Sequence, residues 1–284
     1  MTNKNLASLK QALAKKQKIV VMLAPSFVAD FNYPEIIYQL RSLGFDKITE
    51  LTFGAKMINR EYHRILEECE KCNKKELYIA TVCPGIVNFI KTRYPQYASN
   101  LIGVVSPMIA TAMICRKIYP KHKVCFISPC EFKKTESNES SYVDFCIDYN
   151  ELRELIKNNK KPVKKTKASF DKFYNDYTKI YPLSGGLSKT AHLKGVLKPG
   201  EEVKIDGIHQ VELFLKHPNK KIRFMDVTFC VGGCLGGPCI LNKNIIDKKE
   251  KLLNYLEAAK KEKMPKGREG LIKEAKGLTF LKKY

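Results

Sequence analysis

The sequence lacks any hydrophobic stretch long enough to cross a membrane, which requires about 20 consecutive apolar residues. Its longest apolar run, residues 19–29, is interrupted by Pro25 and Ser26. Residues 1–17 contain neither a hydrophobic core nor a small-residue cleavage site, so they do not resemble an export signal. We therefore expect a cytoplasmic protein without a membrane partner.

Acidic residues and arginine are both scarce relative to lysine. The 284 residues include 29 Asp+Glu against 51 Lys+Arg, which gives a formal net charge of +22, and only eight of the basic residues are Arg. Proteins that read nucleic acids usually depend on Arg for base contacts, and these lysines are spread along the chain, so we do not expect nucleic-acid binding. We interpret the densest Lys run, residues 157–167, as a solvated loop. A basic surface would instead attract an acidic partner protein.

Histidine is also infrequent, and the five His show no metal-ligand spacing, whereas cysteine is abundant, with ten residues. Without an export signal, and with enough residues to bury a sizeable core, free thiols are expected rather than disulfides. Ten cysteines exceed what packing requires, so metal ligation is the leading hypothesis.

Strand-like and helix-like segments alternate along the chain, which favours an α/β fold with largely parallel sheets flanked by helices. Residues 18–23, for example, form a β-branched apolar run typical of a strand that is buried on both faces. Helices are predicted at 4–16, 34–43, 59–74, 86–95, 106–119, 151–157, 206–216 and 245–263, and strands at 18–23, 77–81, 101–105, 124–127, 143–147 and 222–227.

The Lys-rich stretch 157–172 is the only candidate boundary within this pattern. It predicts a first lobe of approximately residues 17–156 and a second of approximately 168–255, followed by a basic C-terminal tail, 256–284.

Three cysteine segments each follow a predicted buried strand and each contain Pro or Gly. They are residues 81–85 (TVCPG), 128–136 (SPCEFKKTE) and 230–238 (CVGGCLGGP). Sites in open α/β sheets lie beyond the carboxyl ends of the strands. Four thiolates from such turns, those of Cys83, Cys130, Cys230 and Cys234, can converge on one [4Fe–4S] cluster. Gly232 and Gly233 would let the backbone approach a bulky cofactor and offer N–H groups to its sulfurs.

In this order, the three segments resemble the cysteine motifs of the [FeFe]-hydrogenase catalytic domain. The first ends Cys-Pro-Gly, the second is Pro-Cys-x-x-Lys-x-x-Glu, and the third is Cys-x-Gly-Gly-Cys-x-x-Gly. The resemblance covers roughly residues 17–255. Shared flanking segments are Ala24-Pro25, 43–47, 53–55, Tyr94-Pro95, Asn100-Leu101, Ser106-Pro107 and Ser184-Gly185-Gly186.

The resemblance implies an iron-only hydrogenase-like fold with the cluster held between two lobes. The four cysteines would hold the [4Fe–4S] cluster, and Cys234 would also bridge to a di-iron subcluster that bears CO, cyanide and a dithiolate bridge. Lys133 matches the family lysine that hydrogen-bonds a cyanide, and Glu136 would support that lysine. The resemblance further implies H₂ as the substrate, a ferredoxin or similar acidic electron carrier, and maturation proteins that install the cofactor. The remaining pocket would be lined by Ala24, Pro25, Ser184, Gly185 and Gly186.

The sequence also departs from the catalytic members of this family. Val82 occupies the position of a proton-donating Cys, and the relay serine falls on Ile102. Apolar side chains cannot carry a proton. The two relay glutamates fall on Tyr62 and Ile65, and two pocket methionines are replaced by Ser128 and Thr228. The segments around 182–187 and 234–238 resemble a divergent, sensory-like branch.

Several hypotheses therefore stay open at the level of sequence. The chain is a slow hydrogenase, an H₂ sensor with the same cofactor, or an iron–sulfur protein for electron transfer or assembly that carries only the [4Fe–4S] cluster. Cys69 and Cys72 are incidental helix cysteines or zinc or additional cluster ligands. Cys239 packs in the core or contacts the cluster region, and Lys133 with Glu136 forms either a site pair or a solvated ion pair.

Overall fold

The protein is described by a computed structural model that covers residues 6–72, 76–163, 169–264 and 266–284. Within these ranges the chain forms seven strands: β1 (Ile19–Leu23), β2 (Lys47–Glu50), β3 (Tyr78–Ile79), β4 (Lys123–Ser128), β5 (Phe145–Asp148), β6 (Glu202–Asp206) and β7 (Phe224–Thr228). The same ranges contain ten α-helices: α1 (Leu6–Ala14), α2 (Glu35–Leu43), α3 (Thr52–Lys71), α4 (Pro84–Arg93), α5 (Pro107–Ile118), α6 (Glu131–Asn138), α7 (Tyr149–Lys157), α8 (Gly186–Thr190), α9 (Ile208–Lys216) and α10 (Ile245–Lys261).

The first sheet has the strand order β2-β1-β4-β5, and all of its pairings are parallel. Strand β1 is buried along its whole length, because both of its faces are covered, as is typical of a central parallel strand. Val20 and Met22 point into one hydrophobic core, whereas Val21 points into another on the opposite face. The predicted α/β class with largely parallel sheets is confirmed.

The second sheet has the order β3-β7-β6 and is also parallel. Its central strand, β7, places Phe224 in the core shared with the first sheet and Met225 in a separate core on the other face. Strand β3 belongs to the predicted first lobe but pairs with β7. The division of the chain into two lobes remains a prediction.

Helices α3 and α5 contribute to the shared core between the two sheets. They approach closely at Gly54, where an added Cβ would lie 2.2 Å from Thr111 Oγ1 and 2.8 Å from the Pro107 carbonyl oxygen. No other residue type fits at this distance, so Gly54 allows the two helices to pack tightly. This packing connects the two sheets through one hydrophobic layer.

Part of the predicted C-terminal tail is packed against the core. Phe280 is buried, its carbonyl accepts a hydrogen bond from Val105 N at 2.8 Å, and Lys282 N donates to Gly103 O at 2.9 Å. Tyr284 Oη donates to Val104 O at 2.9 Å. The last residues therefore form a wall beside residues 103–105.

The structure differs from the predicted elements in identifiable places. Residues 101–105 do not form a strand, because Leu101 and Val104 make isolated bridges with two different partners. Helix α3 begins seven residues earlier than the predicted 59, and the residues between 72 and 76 lie outside the described ranges. Strands β2 and β6 and helices α6 and α8 were not predicted. None of the helices in the described residues combines the length and apolarity needed to cross a membrane.

The described part of the Lys-rich run is solvated, as predicted. All three described lysines of this run, Lys157, Lys160 and Lys161, are exposed, and Lys164, Lys165 and Lys167 lie outside the described residues.

Candidate metal centre

The four predicted ligand cysteines lie beyond the carboxyl ends of three parallel strands. Cys83 follows β3, Cys130 follows β4 by two residues, and Cys230 follows β7 by two residues, with Cys234 in the same loop. Strands β3 and β7 belong to the second sheet and β4 to the first. The cysteines therefore meet where the carboxyl ends of the two sheets face one another.

The four thiols are mutual neighbours, since in every one of the six possible pairs one thiol raises the pKa of the other electrostatically. Yet among the described residues no three of these sulfurs lie within 4.8 Å of one another. A zinc ion with bonds of ~2.3 Å would hold its sulfurs roughly 3.8 Å apart. Their spacing thus suits a cluster better than a single ion.

Two of these cysteines are the N-cap residues of helices. Cys83 caps α4, in which Pro84 is the first residue, and Cys130 caps α6. Burial raises the pKa of Cys130, while the backbone N–H groups of Lys133 and Phe132 in the first turn of α6 act in the opposite direction. Helix N-termini favour anionic sulfur. Burial also raises the pKa of Cys230 to about 12, so metal binding there must release protons.

The loop that carries Cys230 and Cys234 is tightly packed. Gly232 and Gly233 have φ values of +83° and +69°, and a Cβ on Gly233 would lie 2.4 Å from the Pro182 carbonyl oxygen. Their N–H groups donate to Asp206 Oδ2 at 2.6 Å and to the Cys230 carbonyl at 3.1 Å. The glycines therefore allow a close backbone approach, but their N–H groups are engaged within the protein rather than offered to a ligand.

An internal cavity, which we call the inner cavity, lies beside the thiols. It is lined by Cys83, Cys130, Cys234 and Lys133, and by Ala24 and Pro25 after β1. Apolar side chains such as Val82, Met108 and Phe126 cover much of the remaining wall. The structure thus brings two of the five predicted pocket-lining residues to a cavity that also holds three of the four thiols.

The other predicted lining residues, Ser184, Gly185 and Gly186, form the turn into α8. Residues on either side of this turn, Pro182 and Leu187 among them, line the inner cavity, but these three do not. The Ser184 backbone nitrogen lies 2.9 Å from the position of a Cβ on Gly233, so the turn packs against the third cysteine loop. A direct contact between this turn and a cofactor remains a prediction.

Lys133 and Glu136 form a nearly buried pair on α6. Lys133 Nζ lies 2.7 Å from Glu136 Oε2, and the two side chains are 12% and 9% exposed. The ammonium group also donates to the Val82 carbonyl at 3.3 Å, and Ser106 Oγ donates to Glu136 Oε2 at 2.9 Å. This burial is unlike that of a solvated surface pair, and it places a positive charge at the wall of the inner cavity.

The positions that depart from the family's proton relay do not form a connected series of carboxylic acids. Val82 and Ile102 are buried apolar residues. Tyr62 is fully buried, and its hydroxyl is hydrogen-bonded to Thr81 Oγ1 at 2.9 Å. Ile65 packs against the shared core. Ser128 instead stabilises the second cysteine turn, since its hydroxyl donates to the Cys130 carbonyl at 2.7 Å.

Three other cysteines, Cys69, Cys72 and Cys239, are possible ligands on the basis of the sequence. Cys239 is buried, and its sulfur is 3.2 Å from Glu131 Oε1. Glu131, Asp148 and Cys239 form a compact group of possible metal ligands. The Lys134 ammonium is hydrogen-bonded to Asp148, so an ion pair with Lys134 explains this group without a metal ion. At the end of α3, Cys69 is hydrogen-bonded to Tyr78. No group of three possible ligands in the described residues includes Cys69 or Cys72.

Two residues of the inner cavity were missed by sequence reasoning. Asp226, in the middle of β7, is 1% exposed and lines the cavity together with Tyr181. The signal in the sequence was a single carboxylate in the predicted buried strand 222–227. A carboxylate is costly to bury, so its presence there indicates a candidate functional residue.

Comparison with known proteins identifies the relatives of this arrangement. The family described as iron only hydrogenase large subunit, C-terminal domain, matches residues 17–238. The chain belongs to this family. A curated relative, iron hydrogenase 1 of Clostridium pasteurianum, is 26% identical over 288 residues, which cover 79% of this chain and 50% of that protein. The chain thus spans about half the length of the curated relative that it matches.

Solved structures share the fold. A variant of the [FeFe]-hydrogenase HydA1 from Chlamydomonas reinhardtii superposes with a TM-score of 0.68 at 16% identity, over 87% of this chain and 88% of that one. The structure described as stepwise [FeFe]-hydrogenase H-cluster assembly in HydA(deltaEFG) gives a TM-score of 0.67 at 15% identity and the same coverage. The α/β fold with parallel sheets flanked by helices is therefore that of the iron-only hydrogenases.

The residues of this chain fit the cofactor that the family implies. The donor set is four thiols, and their spacing exceeds that of a single-ion site. Lys133 provides a cation at the cavity wall, where an anionic ligand such as cyanide would accept hydrogen bonds. The apolar lining restricts water.

Proposed function

We propose that this protein carries an H-cluster, a [4Fe–4S] cluster linked to a di-iron subcluster, and that it interconverts H₂ with protons and electrons slowly or senses H₂. Cys83, Cys130, Cys230 and Cys234 would hold the [4Fe–4S] cluster, and Cys234 would bridge to the di-iron site. When bound, this cofactor supplies a metal that polarises H₂, a base at the dithiolate bridge, and an electron store.

The observation that carries the proposal is the placement of Lys133. A protein with only a [4Fe–4S] cluster would need the four thiols but no cation in an adjoining apolar cavity. Here a nearly buried ammonium lies at the cavity wall and is held by Glu136 and by the Val82 carbonyl. Glu136 offsets the charge of Lys133 and fixes its position, and Ser106 in turn fixes Glu136. We assign Lys133 to binding a cyanide ligand and Glu136 to positioning Lys133.

The low rate follows from the residues that replace the usual relay. Val82 lies at the cavity wall where a proton donor would be needed, and the Tyr62 hydroxyl is committed to Thr81. Without an acid at either position, protons must reach the cavity by another route. This favours a sensor or a slow enzyme over a fast one.

The electron partner is proposed from the surface near the ligands. Val231, between Cys230 and Cys234, is 74% exposed, so the ligand loop reaches the protein surface. With a net charge of +22, the protein would attract an acidic carrier such as a ferredoxin. Maturation proteins would be needed to install the di-iron subcluster.

Iron content and H₂ chemistry together test this proposal. After anaerobic co-production with H-cluster maturation proteins, we expect about six iron per chain, four in the cluster and two in the subcluster, and slow H₂ evolution with a strong reductant. Production without the maturation proteins is the matched control and should give about four iron and no H₂. A value near four in both preparations, with no H₂ evolution, would leave electron transfer or assembly as the function.

A further inference from the structure

The inner cavity contains a buried acid, Asp226, to which the proposed cofactor site so far assigns no role. Asp226 lies in β7, four residues before Cys230, and is 1% exposed. Its Oδ2 accepts the Ser188 backbone N–H at 2.9 Å, and the Ser188 side chain also faces this carboxyl group. Among the described residues, no cationic side chain forms an ion pair with Asp226. A carboxyl group kept in such a place is costly, which makes it a candidate functional group.

A second carboxylate lies beside Asp226 on the same face of the second sheet. In the parallel pairing of β6 and β7, Lys204 is opposite Asp226, and Glu202, two residues earlier, projects from the same face of β6. Glu202 is close enough to raise the pKa of Asp226. Glu202 Oε2 lies 3.0 Å from Lys204 Nζ, whereas Oε1 is buried and lacks a hydrogen-bond partner within the described residues.

These groups connect the inner cavity with a second cavity nearer the surface, which we call the outer cavity. Asp226 and Tyr181 line the inner cavity, and Ser188, Glu202 and Lys204 line the outer one. The Tyr181 hydroxyl is also buried without a partner in the described part of the chain. It is close enough to both Asp226 and Cys234 to be affected by them electrostatically. Buried polar atoms without protein partners are sites for ordered water.

We propose that Asp226 and Glu202 form the proton route of this protein, leading from the outer cavity to the inner cavity at the side of Tyr181 and Cys234. The inference rests on the proposed function, because it supplies the acid that Val82 and Ile102 cannot.

In the direction of H₂ formation, protonated Asp226 gives its proton to a base in the inner cavity, directly or through one water molecule, and becomes a carboxylate. That carboxylate takes a proton from Glu202, which has itself taken that proton from a hydronium ion entering the outer cavity from solvent, and the hydronium ion becomes water. Each step moves one proton, and the solvent proton is the only reactant consumed. Among the described residues, the titratable groups that interact electrostatically with Asp226 are Lys204 and Glu202 on β6, together with Tyr181 and Tyr62.

The test compares Asp226→Asn, Glu202→Gln and their double variant in the matured full-length protein. Both amides keep the shape and a carbonyl acceptor but cannot carry the proton. The matched control is Glu201→Gln, whose carboxylate accepts the exposed Lys198 N–H at 2.8 Å and is not on the route. We expect H₂ evolution to fall at least about 10-fold in each single variant and not to fall further in the double variant, because the two acids act in series.

An independent readout uses the full chain before maturation. The infrared difference spectrum between pH 5 and pH 8 should contain the band of a protonated carboxyl group that titrates near pH 6. This band should be absent in Asp226→Asn and retained in Glu201→Gln.

The outcomes separate this inference from the proposed function. Unchanged CO and cyanide bands with the expected loss of H₂ evolution support the route, since the cofactor is then intact. Single variants that evolve H₂ within twofold of the wild-type rate would overturn the route and leave the proposed function standing. A wild-type protein without CO bands overturns both.

Discussion

The buried carboxyl group of Asp226 makes a quantitative prediction about stability. Burial is the main cause that raises its pKa from 3.8 to about 6, and Glu202 adds to the effect. The rise corresponds to roughly 3 kcal/mol, because each pKa unit is worth about 1.4 kcal/mol. The folded protein thus favours the protonated acid, and it must tolerate an unfavourable carboxylate at neutral pH.

The sign of the effect follows from linkage. Below about pH 4 the acid is protonated in both folded and unfolded states, so Asp226 has no pH-dependent effect there. As pH rises through 4 to 6, the unfolded state loses its proton first, and the folded state becomes less stable relative to it. Asp226→Asn removes this dependence, so the variant should gain roughly 3 kcal/mol over the wild type between pH 4 and pH 7.

Urea unfolding of the metal-free chain, followed by circular dichroism from pH 4 to pH 8, measures this difference directly. The quantity to compare is the difference in the free energy of unfolding between variant and wild type at each pH, since the other groups titrate equally in both. Glu212→Gln is the control. A hydrogen bond from Lys216 lowers the pKa of Glu212, so the change of this free-energy difference with pH should have the opposite sign. A flat difference for Asp226→Asn across this range would refute the argument that burial raises its pKa.

Three further predictions concern the metal centre. Cys234→Ala should lose the di-iron subcluster, whereas the double variant Cys69→Ala with Cys72→Ala should keep it; iron loss in the double variant would make that pair a ligand pair. Lys133→Ala leaves Glu136 without its cation and should cost roughly 3 kcal/mol in urea unfolding, as well as the di-iron site, whereas an unaffected CO spectrum would contradict the assigned role. Val82→Cys alone should not raise H₂ evolution, because Tyr62, Ile65 and Ile102 at the other relay positions cannot reload a thiol at position 82; a rise to the rate of relay-bearing enzymes would show that only the last donor was missing.

Structural elements could be predicted from the sequence where a local residue pattern agreed with the environment of that segment in the fold. The apolar run in β1 indicates a strand buried on both faces, and its burial in the first sheet agrees with this. The cysteine turns were predictable for a similar reason, since a Cys-Pro or Pro-Cys pair after such a strand falls at the carboxyl end of a parallel sheet.

Elements with mixed polarity were not predictable from the same signals. Strand β2 contains Glu50, which is fully buried beside Lys179 Nζ, 129 residues later in the chain and 2.7 Å away, and which also accepts a hydrogen bond from Tyr255 Oη. Strand β6, at the edge of its sheet, alternates charged and apolar residues. That alternation is a local strand signal, which a search for continuous apolar runs does not detect. In β2, by contrast, the partners that allow Glu50 to be buried are distant in the sequence, and local hydrophobicity does not indicate them.

The candidate site shows the same limit. The motifs named Cys83 and Lys133 because their residue types and spacing are local. Asp226 and Glu202 become neighbours only through the pairing of β6 with β7, and Tyr181 reaches the cavity from another segment. Because sheet register brings these residues together, no characteristic spacing in the sequence predicts their contact.

The most direct test of the central claim is the infrared spectrum of the matured protein in the region of CO and cyanide stretching, recorded before and after exposure to H₂. We expect bands of both ligands, which shift under H₂, because the four thiols and Lys133 would hold the complete cofactor. A protein that contains about four iron per chain and shows no such bands would contradict the account.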